Sequence, residues 1–333
     1  MNFKFFKFCF FITLLLSATS CSQKNNSAKH ITTDLDSLIM LYPDSVSILI
    51  AHGNKMLENY QFEKALNDGA KAFRLDSTNL EARLLYANVI NNQPGRTVED
   101  IMKAQQQFIV ILKQQPKNTK ALISLATTYS QQQDFENSFK YINKALKIDP
   151  KLRDAYVLKG TNYLHLNDFK LAKSSYETAI QQDPDFFEAY LMLGSIYQSE
   201  NNKICLEYYT TAADLKPKNN DVQYAYAYAN QVFGNAEKAK NTYRKMIQQD
   251  TTYSQALFQL GYIKQWIDQD IDSAMYFFSS TIQTTPNYVE AWHNLGICYL
   301  EKGDKPKALQ AFRKALSFNP DFELSRELLK DAQ

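Results

Sequence analysis

One spacing of small and aromatic residues recurs along most of this chain. It is clearest near the C-terminal end, where eight residues lie at offsets 0, 3, 4, 7, 16, 20, 23 and 28: Trp292, Leu295, Gly296, Tyr299, Ala308, Phe312, Ala315 and Pro320. The same skeleton returns about every 34 residues. Self-similarity at this period is typical of arrays in which one small unit is repeated. The spacing therefore favours a single repetitive fold.

Eight units of this kind can be placed in near-register. They account for 277 of the 333 residues and occupy 46–79, 80–118, 119–152, 153–186, 187–219, 220–253, 254–288 and 289–322. The first two units are the most divergent. The unit 80–118 carries five extra residues around Asn92–Gly95, and the unit 46–79 has Gly69 where an aromatic side chain is expected.

Glycine and proline use agrees with this division. Five of the nine glycines fall at one repeat position, where a small residue lets two helices approach closely: Gly53, Gly160, Gly194, Gly261 and Gly296. Gly234 and Gly303 fall in the turn between helices, where a positive φ is useful. Six of the nine prolines end a unit, since proline cannot continue a helix.

Each unit predicts two helices of roughly 12–14 residues with one apolar stripe. One such pair cannot bury its stripe alone, so neighbouring pairs must stack. Residues 31–45 predict an N-terminal capping helix, and residues 323–333 predict a polar C-terminal one. The predicted fold is an all-α solenoid without a second kind of domain.

The pattern W-x2-L-G-x2-Y, followed by A-x3-F, A and P, resembles the tetratricopeptide repeat (TPR). The resemblance implies a right-handed superhelix of helix–turn–helix units whose first helices line an inner groove. Proteins of this family bind partner proteins, so the resemblance implies an interaction scaffold and not an enzyme.

The first residues predict an export signal. Residues 1–20 contain Lys4 and Lys7 but no acidic residue, then an apolar run from Phe8 to Leu16 and a small-residue stretch. The run is too short to span a bilayer. The sequence Ala-Thr-Ser-Cys ending at Cys21 resembles a bacterial lipobox, although Ala18 stands where leucine is commonest. The resemblance implies acylation of Cys21, whereas ordinary cleavage nearby would leave a free thiol.

Residues 21–30 then predict a lipidated flexible tether that holds the protein on a membrane, with a mean reach of roughly 15–17 Å. Ser22, in place of aspartate, favours the outer membrane facing the periplasm under the sorting rule of some lipoproteins. Removing Lys4 and Lys7 leaves 35 basic and 35 acidic residues. A formally neutral protein has no electrostatic footprint for nucleic acid.

No pattern in the sequence assigns a cofactor, a metal or catalysis. The four histidines lack zinc-ligand spacing. Asp268, Asp270 and Asp272 resemble the start of a calcium loop, but Ser273 and Ser279 replace the required glycine and glutamate. Cys205 and Cys298 occupy small inward positions three units apart, so we expect two buried thiols and no disulfide.

The family resemblance implies that a ligand contacts the first helices at their second, fifth, ninth, twelfth and thirteenth positions. In the first five units these positions carry mostly neutral polar or aliphatic side chains. In the last three units they carry a concentration of aromatics, which predicts the partner-binding groove: Tyr224, Tyr228, Gln231, Phe258, Tyr262, Gln265, Trp266 and His293. Trp292 lies at a core position of the repeat, so we expect its side chain to pack in the core instead.

Flat amphipathic rings dominate protein-binding hot spots, so the aromatic groove predicts protein binding. The inner positions offer one basic side chain, Lys120, and five acidic ones: Asp154, Glu188, Asp221, Glu290 and Glu301. The expected partner is a neutral or mildly basic extended segment of another envelope protein. The alternative is a peptidoglycan- or glycan-binding module that uses the same aromatic groove, because rings beside Gln and Asn also suit sugars.

Overall fold

The computed structural model describes residues 34–331. Every regular element in that range is a helix, which confirms the predicted all-α solenoid class. The chain divides after Pro184 into two compact units, each of which contains several of the eight repeats. From here on, the first unit and the second unit mean these two parts of the chain. The predicted signal peptide 1–20, Cys21, the tether 21–30 and the start of the 31–45 cap lie outside the described residues. Between residues 34 and 331, no helix combines the length and the apolar character that crossing a membrane requires.

In the first unit, a short helix precedes four helix pairs. The helices are α1 Leu35–Leu41, α2 Val46–Glu58, α3 Phe62–Leu75, α4 Leu80–Asn92, α5 Val98–Gln114, α6 Thr119–Gln131, α7 Phe135–Ile148, α8 Arg153–His165 and α9 Phe169–Gln182. Helix α5 has 17 residues and is longer than the other second helices, so part of the extra length of the unit 80–118 lies in this helix.

In the second unit, four helix pairs precede a final short helix. The helices are α10 Phe187–Ser199, α11 Cys205–Leu215, α12 Asn220–Val232, α13 Ala236–Gln249, α14 Ser254–Trp266, α15 Ile271–Thr284, α16 Val289–Glu301, α17 Lys305–Phe318 and α18 Glu323–Asp331. Each of the spans assigned from the spacing thus holds two helices.

Within a pair, a buried ring from the second helix lies directly over a glycine of the first helix. A Cβ atom added to Gly296 would lie 2.5 Å from the Phe312 ring, and one added to Gly261 would lie 2.7 Å from the Phe278 ring. Both rings are completely buried. The glycine is therefore needed for close approach, and the ring fills the space that its missing side chain leaves.

The divergent first pair solves the same problem with a different side chain. Gly69 supplies no ring, and Leu85 from α4 fills the space instead. Its Cδ2 lies 2.6 Å from a Cβ placed on Gly53, and its Cγ lies 3.2 Å from one placed on Gly69. Leu85 is 1% exposed. The departure from the repeat pattern is compensated by the neighbouring pair.

The turns between paired helices place one residue in the left-handed region. Gly234 (φ 85°) and Gly303 (φ 78°) do so, as predicted. Five other residues with side chains adopt the same conformation: Tyr60, Gln133, Asn167, Asn201 and Gln269. In several turns the next residue is an aspartate that caps the following helix, such as Asp304, whose carboxylate accepts from the Lys307 backbone N–H.

A charged cluster joins the leading helix α1 to the first pair. The His52 ring contacts the Asp68 carboxylate at 2.5 Å through Nδ1 and the Asp36 carboxylate at 3.0 Å through Nε2. Lys55 adds ion pairs to Asp34 and Asp36. Burial lowers the pKa of His52, but the two carboxylates outweigh it, and the pKa is raised above its ordinary value. The imidazolium therefore helps to dock α1.

We predict that Gly296→Ala destabilises the protein by about 1–3 kcal/mol, because the new methyl group overlaps the Phe312 ring. Urea unfolding followed by circular dichroism measures this loss. The smaller Phe312→Leu side chain, introduced in the Gly296→Ala background, should recover part of it. Equal stability of Gly296→Ala and the parent protein would contradict the close-approach role.

Candidate partner-binding face of the second unit

Four aromatic side chains lie on the first helices of two successive pairs. Tyr224 and Tyr228 are one helical turn apart on α12, and their rings stack at 6.1 Å with an interplanar angle of 7°. Tyr262 and Trp266 repeat the arrangement on α14, with ring centroids 6.4 Å apart. Tyr228 is 37% exposed and Trp266 is 50% exposed, whereas Tyr224 and Tyr262 are half-buried. These four residues are called the aromatic face.

A chain of amide hydrogen bonds links α12 to α14 beside this face. Gln231 Nε2 donates to Gln259 Oε1 at 2.9 Å, and Gln259 Nε2 donates to the Tyr224 hydroxyl at 3.1 Å. The bonds fix the side-chain orientation of Tyr224 and Gln231. The sequence does not single out Gln259, because this residue lies outside the family's inner positions and no spacing signal distinguishes it.

Two further contacts tie α14 to α16. Trp266 Nε1 lies 3.5 Å from Asn294 Oδ1, and Gln265 Nε2 donates to the Glu301 carboxylate at 3.4 Å. Asn294 is itself held by a 2.8 Å bond from its Nδ2 to the Glu290 carbonyl oxygen. The exposed indole thus makes one long polar contact with the next first helix, and the neighbouring Gln265 makes another.

Three of the predicted groove residues are buried and offer no open surface: Phe258, Gln265 and His293. Phe258 packs beneath the aromatic face, with its ring 4.9 Å from Tyr288 and 5.7 Å from Phe278. This placement corrects the expectation that all eight residues line an open groove. At each of these three positions, side chains from neighbouring helices cover the predicted groove residue.

His293 has a structural partner in the final helix. Its Nδ1 lies 2.9 Å from the Ser325 hydroxyl of α18, and its ring contacts Phe312 and Phe322. Burial lowers the pKa of His293 to about 4, so the ring is neutral at physiological pH. His293 therefore holds the capping helix instead of lining an accessible surface.

Two amide oxygens near the face have no hydrogen-bond partner within the described part of the chain. Gln231 Oε1 and Gln265 Oε1 are both buried, and both belong to the twelfth position of a first helix. A buried acceptor without a partner costs about 1–3 kcal/mol. Because both oxygens are buried, a ligand could bond to them only after the amide side chains turn outwards.

The aromatic face is electrically neutral at physiological pH. Burial raises the pKa of Tyr224 to about 12, against the opposing effect of its bond from Gln259. Burial, with a smaller effect from the Tyr262 phenol, also raises the pKa of Tyr228. Glu290 and Glu301 lie on the adjacent helix α16 and supply the nearby negative charge. The surface suits apolar and donor groups better than anions.

In the first unit, the corresponding polar residues bond mostly to one another. Ser124 Oγ donates to Asn88 Oδ1 at 2.8 Å, and Ser130 Oγ donates to Asn162 Oδ1 at 2.6 Å. Thr161 Oγ1 lies 3.0 Å from the Tyr176 hydroxyl. These side chains join neighbouring helices, although Asn91 Oδ1 and Gln131 Oε1 have no hydrogen-bond partner within the described residues.

The remaining candidates have structural roles. Trp292 packs on the buried cluster around Phe278, and its Nε1 donates to the Pro286 carbonyl oxygen at 2.8 Å. Asp268 pairs with Lys240 and Lys264. Within residues 34–331, no three His, Cys, Asp or Glu side chains converge as metal ligands would.

Cys205 and Cys298 are free and buried, as the repeat positions predicted. Burial raises the pKa of the Cys205 thiol to about 11 and that of the Cys298 thiol to about 12. Both remain protonated thiols at neutral pH. Such thiols are poor nucleophiles and metal ligands.

Sequence models described as "Tetratricopeptide repeat" match three stretches of the chain, 119–152, 154–186 and 289–322. A chloroplast protein of Arabidopsis thaliana, the tetratricopeptide repeat domain-containing protein PYG7, is 36% identical over 67 residues. That match covers 19% of this chain and 22% of the curated relative, so it spans about a fifth of either protein.

Solved structures show the same fold. The Cut9–Hcn1 hetero-tetramer of the APC/C aligns over 87% of this chain and 56% of that chain, with 15% identity and a TM-score of 0.59. The C-terminal part of a TPR repeat-containing protein from Cytophaga hutchinsonii aligns over 73% of this chain and 98% of that chain, with 16% identity and a TM-score of 0.58. Three stretches of the chain thus match tetratricopeptide repeat models, and the chain shares its fold with solved structures of tetratricopeptide repeat proteins.

We predict that acidification weakens the second unit through His293. Its pKa is about 4 in the folded protein against 6.5 for the free side chain, so the unfolded state takes up a proton first as the pH falls. Stability should be fully present above pH 6.5 and decline by on the order of 3 kcal/mol towards pH 4. His293→Asn should lose most of this dependence in denaturant unfolding at several pH values.

His52 provides the control of opposite sign, because its pKa is raised in the folded protein. Its contribution is complete below pH 6.5 and is lost as the pH rises through the raised pKa. His52→Asn should therefore reduce stability more in mildly acidic than in mildly alkaline buffer. Parallel pH profiles for both variants would contradict the two assignments.

Proposed function

We propose that this protein is a non-enzymatic scaffold, held in a bacterial envelope by an acyl group on Cys21, that binds a segment of a partner protein on the aromatic face. The observation that carries the proposal is the partial exposure of four ordered aromatic rings on adjacent first helices. Exposed Tyr and Trp side chains in an ordered setting are the residue types that dominate binding hot spots.

The aromatic face is preorganised, which favours affinity. Tyr224 is held by Gln259, and Trp266 is oriented towards Asn294. The buried Phe258 ring contacts Tyr262, with ring centroids 6.5 Å apart. Side chains that are already ordered lose little rotamer entropy when a partner binds.

The chemistry of the surroundings selects the partner. The exposed rings of Tyr228 and Trp266 suit apolar side chains, while Glu290 and Glu301 on α16 disfavour anions. An extended polypeptide segment offers backbone N–H groups at regular intervals together with apolar side chains. We therefore propose a neutral or mildly basic segment and not a terminal carboxylate.

The membrane part of the proposal rests on the sequence alone. The export signal, the Ala-Thr-Ser-Cys stretch and Ser22 support an acylated Cys21 and, by the sorting rule, the outer membrane facing the periplasm. Acyl chains contribute about 0.8 kcal/mol per buried CH2 group, so several chains hold a protein stably on a bilayer.

Replacing Tyr228, Tyr262 and Trp266 together by alanine should abolish partner binding with unchanged helicity, because the contact area is lost while the buried core is retained. A photocrosslinking residue at Val232, which is 49% exposed beside the face, identifies the partner in intact cells, and the purified pair then gives the affinity. We expect at least a hundredfold loss, as for removal of several hot-spot residues.

The matched control is Tyr276→Ala, since Tyr276 is 67% exposed in the same unit but lies on the second helix α15. It should bind normally. Normal binding by the triple variant would reject the aromatic face as the site. Thermal-shift titration with peptides and with muropeptides distinguishes protein binding from glycan binding, because only the true ligand class should raise the Tm of the parent protein.

Cys21→Ser should release the protein from the membrane fraction and remove the acyl mass increment from its N-terminal peptide. Cell fractionation and mass spectrometry measure the two effects. The control is Cys205→Ala, which alters a buried thiol and leaves the lipobox intact. An unmodified N-terminal peptide in the parent protein would disprove the anchor and leave the proposal for the aromatic face standing.

A further inference from the structure

Three consecutive large apolar side chains lie exposed at the end of α1. Met40 is 82% exposed, Leu41 67% and Tyr42 58%. No other run of three exposed large apolar residues occurs within residues 34–331. These three residues are called the apolar lip. Their consecutive positions concentrate exposed apolar surface at one end of α1, and concentrated apolar surface marks interaction sites.

The lip is not needed for packing of the first unit. On the same helix, Ile39 packs against the buried cluster of Leu49, Ala72 and Ala82. That contact, with the polar bridge from Asp36 to His52, already docks α1. The lip is therefore available for a surface outside the described protein.

The charges around the lip are largely paired. Asp44 binds Lys71 at 2.8 Å, and Asp34 and Asp36 share Lys55. Attraction of the lip to another surface would consequently be apolar and insensitive to salt. Tyrosine is one of the side chains that favour a membrane interface, where its ring is buried and its hydroxyl stays hydrated.

The chain length places the lip near the proposed anchor. Twelve residues separate Cys21 from Asp34. Whatever their conformation, they can span no more than about 45 Å, and only the short helix α1 then separates Asp34 from the lip. Tethering at this range gives an effective concentration in the millimolar region. Contacts between the lip and the bilayer that would be too weak to hold an untethered protein can then form.

We infer that the apolar lip inserts into the interfacial layer of the bilayer that carries the acyl group of Cys21. This inference rests on the proposed acylation. Lip and anchor together would form a two-point attachment, which limits the rotation of the first unit on the membrane. Because the acyl chains already hold the protein on the bilayer, the lip contributes orientation and not retention.

Methionine oxidation tests the inference in the full mature chain. Dilute hydrogen peroxide converts exposed Met to its sulfoxide, and peptide mass spectrometry reports each site. Met40 is the reporter, and Met102 is the internal control, since it is 56% exposed on α5 of the same unit. On phosphatidylcholine vesicles, Met40 oxidation should slow about fivefold while Met102 is unaffected, because only the lip enters the bilayer.

Leu41→Ser with Tyr42→Ser should remove this protection and leave Met40 as the reporter. Val98→Ser is the matched control, because Val98 is 69% exposed on α5 and lies outside the lip. Added salt, or phosphatidylglycerol in the vesicles, should change the protection of Met40 little. Equal Met40 oxidation with and without vesicles, for protein that floats with them, would overturn the inference while the anchor stands.

If the protein does not float with the vesicles, the acyl anchor has failed. The lip is then tested on protein lipidated chemically through the Cys21 thiol, since Cys205 and Cys298 are buried. Protection of Met40 in that sample supports insertion of the lip into the bilayer, and an unchanged rate of Met40 oxidation overturns it. Protection that rises with protein concentration without vesicles would assign the lip to a second copy of the chain and reject the membrane contact.

Discussion

The close approach of paired helices, made possible by a small residue under a buried ring, is the contact on which the rest of the structure depends. It appears at Gly296 with Phe312 and at Gly261 with Phe278. Because the ring fills the space over the glycine, the two helices cannot separate without opening a cavity. The pair at Gly53 shows that the requirement concerns filled volume, since Leu85 replaces the ring there.

This packing also produces the aromatic face. The second helix of a pair supplies the buried ring. Some side chains of the first helix therefore do not pack in the core between the two helices. On α12 and α14 the free positions carry Tyr228 and Trp266, whose exposure contrasts with the buried Phe258 beside them. Hydrogen bonds from neighbouring first helices then order the rings. A binding surface therefore follows from the same contacts that build the core.

Much of the fold could be predicted from the spacing, because a repeated pattern shows the same constraint several times. The burial of Cys205 and Cys298 followed from their repeat positions. The site was less predictable. His293 and Tyr228 looked equivalent on the family pattern, but α18 covers His293 through Ser325. Gln259 had no sequence signal, since its role depends on the distance between two helices.

The sequence by itself determined the helical repeat, the small residue in each close contact and the two turn glycines, because these are local requirements of backbone and volume. Only the tertiary structure decided that Gln269 tolerates a positive φ, that Leu85 compensates for Gly69, and that Gln231 and Gln265 keep partnerless oxygens. The physical reason is that burial and hydrogen bonding depend on neighbours from other repeats, which a position within one repeat does not specify.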